Sequence, residues 1–102
     1  KVHHAENYLV LENAQYLRKY GPECIVYTTL EPCIMCISTI AMADIRNIVI
    51  GFEDRYMQTR DFISSHPWLR DRIFNYLVGV KEQDCRDLIL RYGDERDKSI
   101  LL

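Results

Sequence analysis

The sequence predicts an α/β domain with mainly parallel strand pairing, and three observations carry that expectation. Apolar, β-branched runs alternate with segments of helix formers along the chain. The stretch between Gly51 and Tyr76 is long enough for a crossover, so the last two strands should run parallel rather than as a hairpin. The 102 residues, 48% hydrophobic and 27% charged, have the composition of one small globular domain spanning residues 1–102. That composition excludes a disordered or collagen-like chain, and within these 102 residues no second catalytic domain is expected.

The elements follow in order. Residues from about Ala5 to Lys19 are good helix formers with apolar positions at Ala5, Tyr8, Leu9 and Leu17, and Gly21-Pro22 stops them. Cys24 to Leu30 is β-branched and apolar and reads as a strand buried on both faces. Pro32 suits the start of the next helix, because its missing N–H would be unpaired there. That helix runs from Ile34 to Ala43 and is apolar on several sides at Ile34, Met35, Ile37, Ile40 and Met42, so one side is expected to meet another subunit. Ile48-Val49-Ile50 is a short central strand ending at Gly51. A polar stretch with an amphipathic piece at Asp61 to Ser65 leads to His66-Pro67-Trp68, of which His66-Pro67 reads as a turn. Tyr76 to Val80 is a third strand. Gln83 to Tyr92 closes the chain as a helix with Cys85, Leu88, Ile89 and Tyr92 on one face.

Charge is uneven along the chain. The first 52 residues hold nine charged side chains and the remaining 50 hold nineteen, so the N-terminal half should hold more of the core. Thirteen basic against fifteen acidic residues leave a net charge of −2, without the basic excess that advertises nucleic acid. The run from Ile34 to Ala43 is too short to span a bilayer, which argues against a membrane protein. No signal-like segment precedes it. The four cysteines allow either two disulfides or a metal site.

Cys33-Ile34-Met35-Cys36 is a C-x-x-C pair at a helix start, where the dipole and free N–H groups favour thiolates. It is half a tetrahedral zinc site, or equally a thiol redox pair. His4-Ala5-Glu6 removes much of the ambiguity. A His and a Glu two residues apart suit one ligand and one carboxylate aimed past the metal. His4, Cys33 and Cys36 then make three protein ligands with the fourth position left for water, the pattern of a catalytic zinc. A closed structural site would need His3, Cys24, His66 or Cys85 as a fourth ligand and would leave Glu6 without a purpose. His3 is out of register with Glu6 and is expected to be exposed. Cys24 and Cys85 have no partner at a motif spacing and read as buried reduced thiols, pointing to a reducing, cytoplasmic compartment.

His4-Ala5-Glu6 followed by Pro32-Cys33-x-x-Cys36 resembles the signature of the zinc-dependent cytidine/deoxycytidylate deaminases. The context Thr28-Thr29-Leu30-Glu31-Pro32-Cys33-Ile34-Met35-Cys36 is most similar to the tRNA adenosine deaminase and guanine deaminase branch, as is Ile48 to Asp54. Weaker similarity continues through His66-Pro67 and Gly79-Val80 to Cys85. The resemblance implies a three-layer α-β-α sandwich with a mixed sheet. It implies one Zn2+ per chain on His4, Cys33 and Cys36, with Glu6 as proton shuttle. The reaction implied is hydrolysis of a ring amine to a carbonyl with release of ammonia, on a nucleobase, nucleoside or nucleotide, adenosine in tRNA included. The family has two strands upstream of the His-x-Glu helix, whereas here only Lys1-Val2-His3 precede it. The start is therefore expected to be trimmed, with the N-terminal strands missing. The tail from Arg91 to Lys98 mixes Asp94, Glu95 and Asp97 with its bases, where tRNA-acting relatives tend to be basic.

Substrate contacts are expected from Ala5, Glu31, Pro32, Arg55 and Tyr56. Glu31 stands before a helix start, where an acid helps the dipole whether or not it touches substrate. Arg55, Tyr56, Arg60, Phe62, His66, Trp68, Arg70 and Arg72 interleave basic and aromatic side chains. Such a pattern can stack bases and hold phosphates, and it equally describes a solvated helix with packing aromatics. The reading is a zinc-dependent deaminase working as a homodimer. Two rivals stand beside it: a thiol oxidoreductase using the C-x-x-C pair, and a deaminase-fold protein that only binds.

Overall fold

The computed structural model describes residues 4–101. Helices α1 (Ala5–Glu12) and α2 (Ala14–Tyr20) lead through a short 3-10 turn into strand β1 (Ile25–Leu30). Helix α3 (Ile34–Met42) crosses to β2 (Asn47–Phe52), and α4 (Thr59–Ser65) with α5 (Pro67–Arg72) crosses to β3 (Asn75–Leu77). Helices α6 (Glu82–Tyr92) and α7 (Glu95–Ser99) follow. The sheet order is β1-β2-β3, with Val26 opposite Ile48 and Ile48 opposite Tyr76. The last two strands are parallel, as expected, and so are the first two. The antiparallel member of a mixed sheet is not among the described residues.

The core lies where strand alternation and helix periodicity coincide. Val26, Ile48 and Ile50 point to one face and pack with Val10 and Leu17 of α1 and α2 and with Ile37, Ile40 and Ala41 of α3. Ile63, Leu69 and Ile73 complete that cluster from the second crossover. On the opposite face α6 lies so close to β2 that a Cβ on Gly51 would stand 2.2 Å from Cys85 Sγ. Only glycine permits that approach. A smaller cluster of Phe52, Ile89, Ile100 and Leu101 joins α6 and the C-terminal turn to the strand ends. Most buried apolar residues precede Glu53, as the charge distribution foretold.

Several details depart from the sequence reading. The first helix is two, because Asn13 turns its side chain back onto the Leu9 carbonyl (2.8 Å) and breaks the ladder there. Its inward residue is Val10, while Tyr8 and Leu9 are exposed. β1 is not buried on both faces, with Tyr27 71% exposed, and among the described residues it is the outer strand of the sheet. His66-Pro67 is the N-terminal junction of α5, with Pro67 in its first turn. β3 ends at Leu77, and on α6 only Cys85 and Ile89 of the expected face are shielded from solvent. α7 was not anticipated. It is held by a capping box in which Asp94 and Asp97 accept from each other's backbone N–H.

Candidate active site

Two helix starts meet here. His4 is the N-cap residue of α1, with Glu6 in the first turn. Cys33 is the N-cap residue of α3, with Cys36 in its first turn. Packing of α1 against α3 brings the two starts together. Neither cap residue uses its side chain on its own helix, so both are free to converge. His4 Nδ1 lies 3.4 Å from Cys33 Sγ and 3.2 Å from Cys36 Sγ.

These spacings fit a metal. Ligands about 2.0 to 2.3 Å from a tetrahedral zinc stand roughly 3.5 Å apart. The three donor atoms all lie within 4.8 Å of one another, so they could hold one ion without rearrangement of the backbone. Cys36 is fully buried, and burial pushes its thiol up to about 12, with the Glu6 charge and then Cys33 adding to the rise. A cation between the sulfurs reverses that balance, because a coordinating thiol gives up its proton. Softness points the same way, since two thiolates and an imidazole suit zinc.

A cleft of about 320 Å³ opens beside this trio, lined by His4, Ala5, Glu6, Glu31 and Cys33 together with Thr28 and Leu30 of β1. Its far wall is Asp54 and the C-terminal segment, through Asp94, Arg96, Asp97 and Ile100. Glu6 is half-buried in the same lining as the metal-binding residues.

Glu31 is 4% exposed, and its carboxylate is spoken for. One oxygen accepts from Asp54 N–H (2.9 Å) and the other from the Tyr76 hydroxyl. It therefore ties β1 to the loop after β2 and to β3, and does not cap α3. Desolvation raises its pKa above the ordinary value, opposed by those two hydrogen bonds. Burial, and then the bond to Glu31, pushes the Tyr76 hydroxyl up as well. Pro32 is buried, and its carbonyl accepts from the buried Thr59 hydroxyl (2.7 Å), which fixes the turn into Cys33.

The structure thus brings His4, Ala5, Glu6, Glu31 and Cys33 to one cleft, with Cys36 beneath them, and places Pro32 behind it. Tyr56 lies on an adjoining shallow groove with Asp54, Arg96 and Ile100, and Arg55 is exposed and lines neither. Of the basic and aromatic stretch, Phe62 and Trp68 pack on the core, Arg72 stacks on Trp68 at 4.1 Å, and Arg60 reaches Glu53 at 3.8 Å. His3 lies outside the described residues. All four cysteines are free of disulfides, and Cys24 Sγ donates to the Tyr20 carbonyl (3.3 Å).

Sequence reasoning missed Asp54 and the Asp94-Arg96-Asp97 wall. A local sign existed for each. Asp54 Oδ1 accepts from Tyr56 and Met57 N–H, an aspartate turn, and Asp94 with Asp97 has capping-box spacing.

Helices around a parallel sheet, with His, Cys and Cys gathered at two helix starts beside a carboxylate, define a metal-binding α/β domain with an acid–base group at hand. The chain belongs to the cytidine and deoxycytidylate deaminase zinc-binding family, whose model matches residues 1–52. Family and geometry together assign it one zinc ion. It is 30% identical over 87 residues to a cytosine deaminase of Candida albicans, covering 84% of this chain and 53% of the relative. It is 28% identical over 98 residues to a tRNA-specific adenosine deaminase of Buchnera aphidicola, covering 93% of this chain and 60% of the relative. The chain thus spans little more than half the length of these curated relatives. No solved structure matches it. Among the described residues no helix is long and apolar enough to cross a membrane.

Proposed function

We propose that residues 1–102 act as one deaminase domain that hydrolyses an exocyclic ring amine of a nucleobase, nucleoside or nucleotide to a carbonyl, releasing ammonia. Adenosine in tRNA falls within that range. The convergence of His4, Cys33 and Glu6 on one cleft, with the buried Cys36 completing the His4-Cys33 donor group beneath it, carries the reading. His4, Cys33 and Cys36 would hold the zinc, which when bound supplies a water whose pKa is lowered to about 7. Glu6 is the proton carrier. Its carboxylate sits in the cleft lining, where it takes a proton from water and gives it to the ring nitrogen, then takes the second proton from the hydroxyl now on the ring carbon and gives it to the departing amine as the carbonyl forms. Thr28, Leu30 and Ile100 form the walls that hold the heterocycle and exclude bulk water.

The same convergence favours a metal centre over a dithiol redox pair, since His4 Nδ1 stands against both sulfurs. Exposed Met42, with Ile34 and Met35 partly exposed on α3, supports a homodimer through that helix. Four free cysteines support a reducing, cytoplasmic setting.

The test is a panel of bases, nucleosides, nucleotides and tRNA with ammonia as readout, alongside metal analysis. One zinc per chain and ammonia from at least one substrate are expected. An intact zinc site with no turnover across the panel would favour a binding protein instead. Freely reactive thiols without chelator would favour the redox reading.

A further inference from the structure

We propose that this cleft selects an uncharged amine-bearing heterocycle, a free base or a nucleoside, and turns away phosphorylated and polynucleotide forms. The inference rests on the deaminase reading above and narrows its substrate class.

Charge at the cleft carries it. Among the described lining residues, Glu6, Glu31, Asp54, Asp94 and Asp97 supply five carboxyl groups against the single guanidinium of Arg96. Zinc on two thiolates and a neutral imidazole brings no net positive charge to offset them. The rim acids cannot readily swing away. Asp94 Oδ1 accepts from Asp97 N–H at 2.8 Å, and Asp97 Oδ2 from Asp94 N–H at 3.4 Å. Asp54 Oδ1 is held by Tyr56 N–H at 2.9 Å and Met57 N–H at 3.1 Å.

Shape agrees. The volume of about 320 Å³ lies at the small end for a ligand pocket, suited to a base or nucleoside. Leu30 and Ile100 give the cleft low-dielectric walls, which focus the field of the surrounding acids. A monophosphate would bring up to two further negative charges into that field, and a polynucleotide one at each flanking position. The adjoining groove does not relieve this, because there Arg96 stands with Asp54.

The experiment compares cytosine, guanine, adenine, their nucleosides, their 5′-monophosphates and tRNA on the zinc-loaded protein, by ammonia release and by equilibrium binding, at low and high salt. Each monophosphate is expected to fall about tenfold or more below its nucleoside in kcat/KM and in affinity at low salt. The gap should shrink at high salt, where the repulsion is screened. It should shrink also in the double variant D94N/D97N, because asparagine keeps the helix cap but loses the charge. A monophosphate or tRNA used as well as the nucleoside overturns the inference and leaves the deaminase reading standing. So does a gap indifferent to both salt and D94N/D97N. Absence of ammonia across the panel overturns the deaminase reading, and the binding measurements then decide the charge inference alone. Binding of neither form overturns both.

Discussion

The Tyr76 hydroxyl of β3 donates to the buried carboxylate of Glu31 at the end of β1, across 45 positions of sequence. The other oxygen of Glu31 accepts from Asp54, so one side chain sets the strand end, the cleft loop and β3 in register. Desolvation raises the folded-state pKa of Glu31 above 4.5. A raised pKa means the folded state holds the proton more tightly, so this contribution is full below the unfolded value and is lost as pH rises through the folded one. Urea midpoints across that window should therefore fall for the wild type relative to Glu31→Gln as pH rises. A difference between the two proteins that does not vary with pH would remove Glu31 as the titrating group.

Glu6→Gln should keep the zinc and lose activity by about 10²- to 10⁴-fold, the range of a positioned proton carrier. Metal content and ammonia release on the same sample separate the two effects. Loss of zinc in this variant would instead make Glu6 part of the metal site.

Removal of zinc should destabilise the fold. A tightly held ion present at about a thousand times its Kd stabilises by roughly 4 kcal/mol, so chelation should lower Tm by about 15 °C or more in a chain this small. Readdition of zinc should restore it, and His4→Ala, Cys33→Ser and Cys36→Ser should each abolish the response. A Tm indifferent to chelator in zinc-loaded wild type would contradict the site.

Gly51→Ala should cost about 1 to 3 kcal/mol through overpacking, since the new methyl meets Cys85 Sγ at 2.2 Å. Adding Cys85→Ala should recover only part of the loss. The Cys85 Cβ at 2.7 Å and the Thr29 carbonyl at 2.9 Å remain too close. Chemical denaturation of both variants measures this, and full recovery would place the strain on the sulfur alone.

Thr59→Val should cost about 1 to 3 kcal/mol, because it strands the buried Pro32 carbonyl that now accepts a 2.7 Å hydrogen bond. If that bond also fixes the entry to Cys33, zinc affinity should drop in parallel. Unchanged zinc affinity with lowered stability would confine Thr59 to packing.

The alternation of elements and the metal trio were legible because each rests on local chemistry. β-branched runs, Pro32 at a helix entry and Cys33-x-x-Cys36 all declare themselves within a few residues. What escaped depends on partners far along the chain. An apolar parallel strand reads the same whether or not a helix covers each of its faces, so the exposure of Tyr27 on β1 was invisible. Glu31 looked like a helix-start acid, because its partner Tyr76 lies in the last strand. The acidic wall of the cleft depends on α7 folding back, which no short motif encodes. Local signs did exist in the aspartate turn at Asp54, in the capping-box spacing of Asp94 and Asp97, which marks the start of α7 though not where it packs, and at Asn13. The tendency of Asn13 to bond a preceding carbonyl was a local warning that the first helix would break.

The position of His4 has a consequence for how the chain reaches this structure. It lies 29 and 32 positions from Cys33 and Cys36, so one ion on all three closes a ring of chain that contains α1, α2 and β1. By polymer statistics, closing a ring of that size removes about 3 to 4 kcal/mol of entropy from the unfolded ensemble, comparable to a disulfide. A chain ringed early by the ion would search for the β1–β2 pairing with its first half already tethered. The metal centre then serves as a cross-link that, unlike a disulfide, needs no oxidising surroundings to persist.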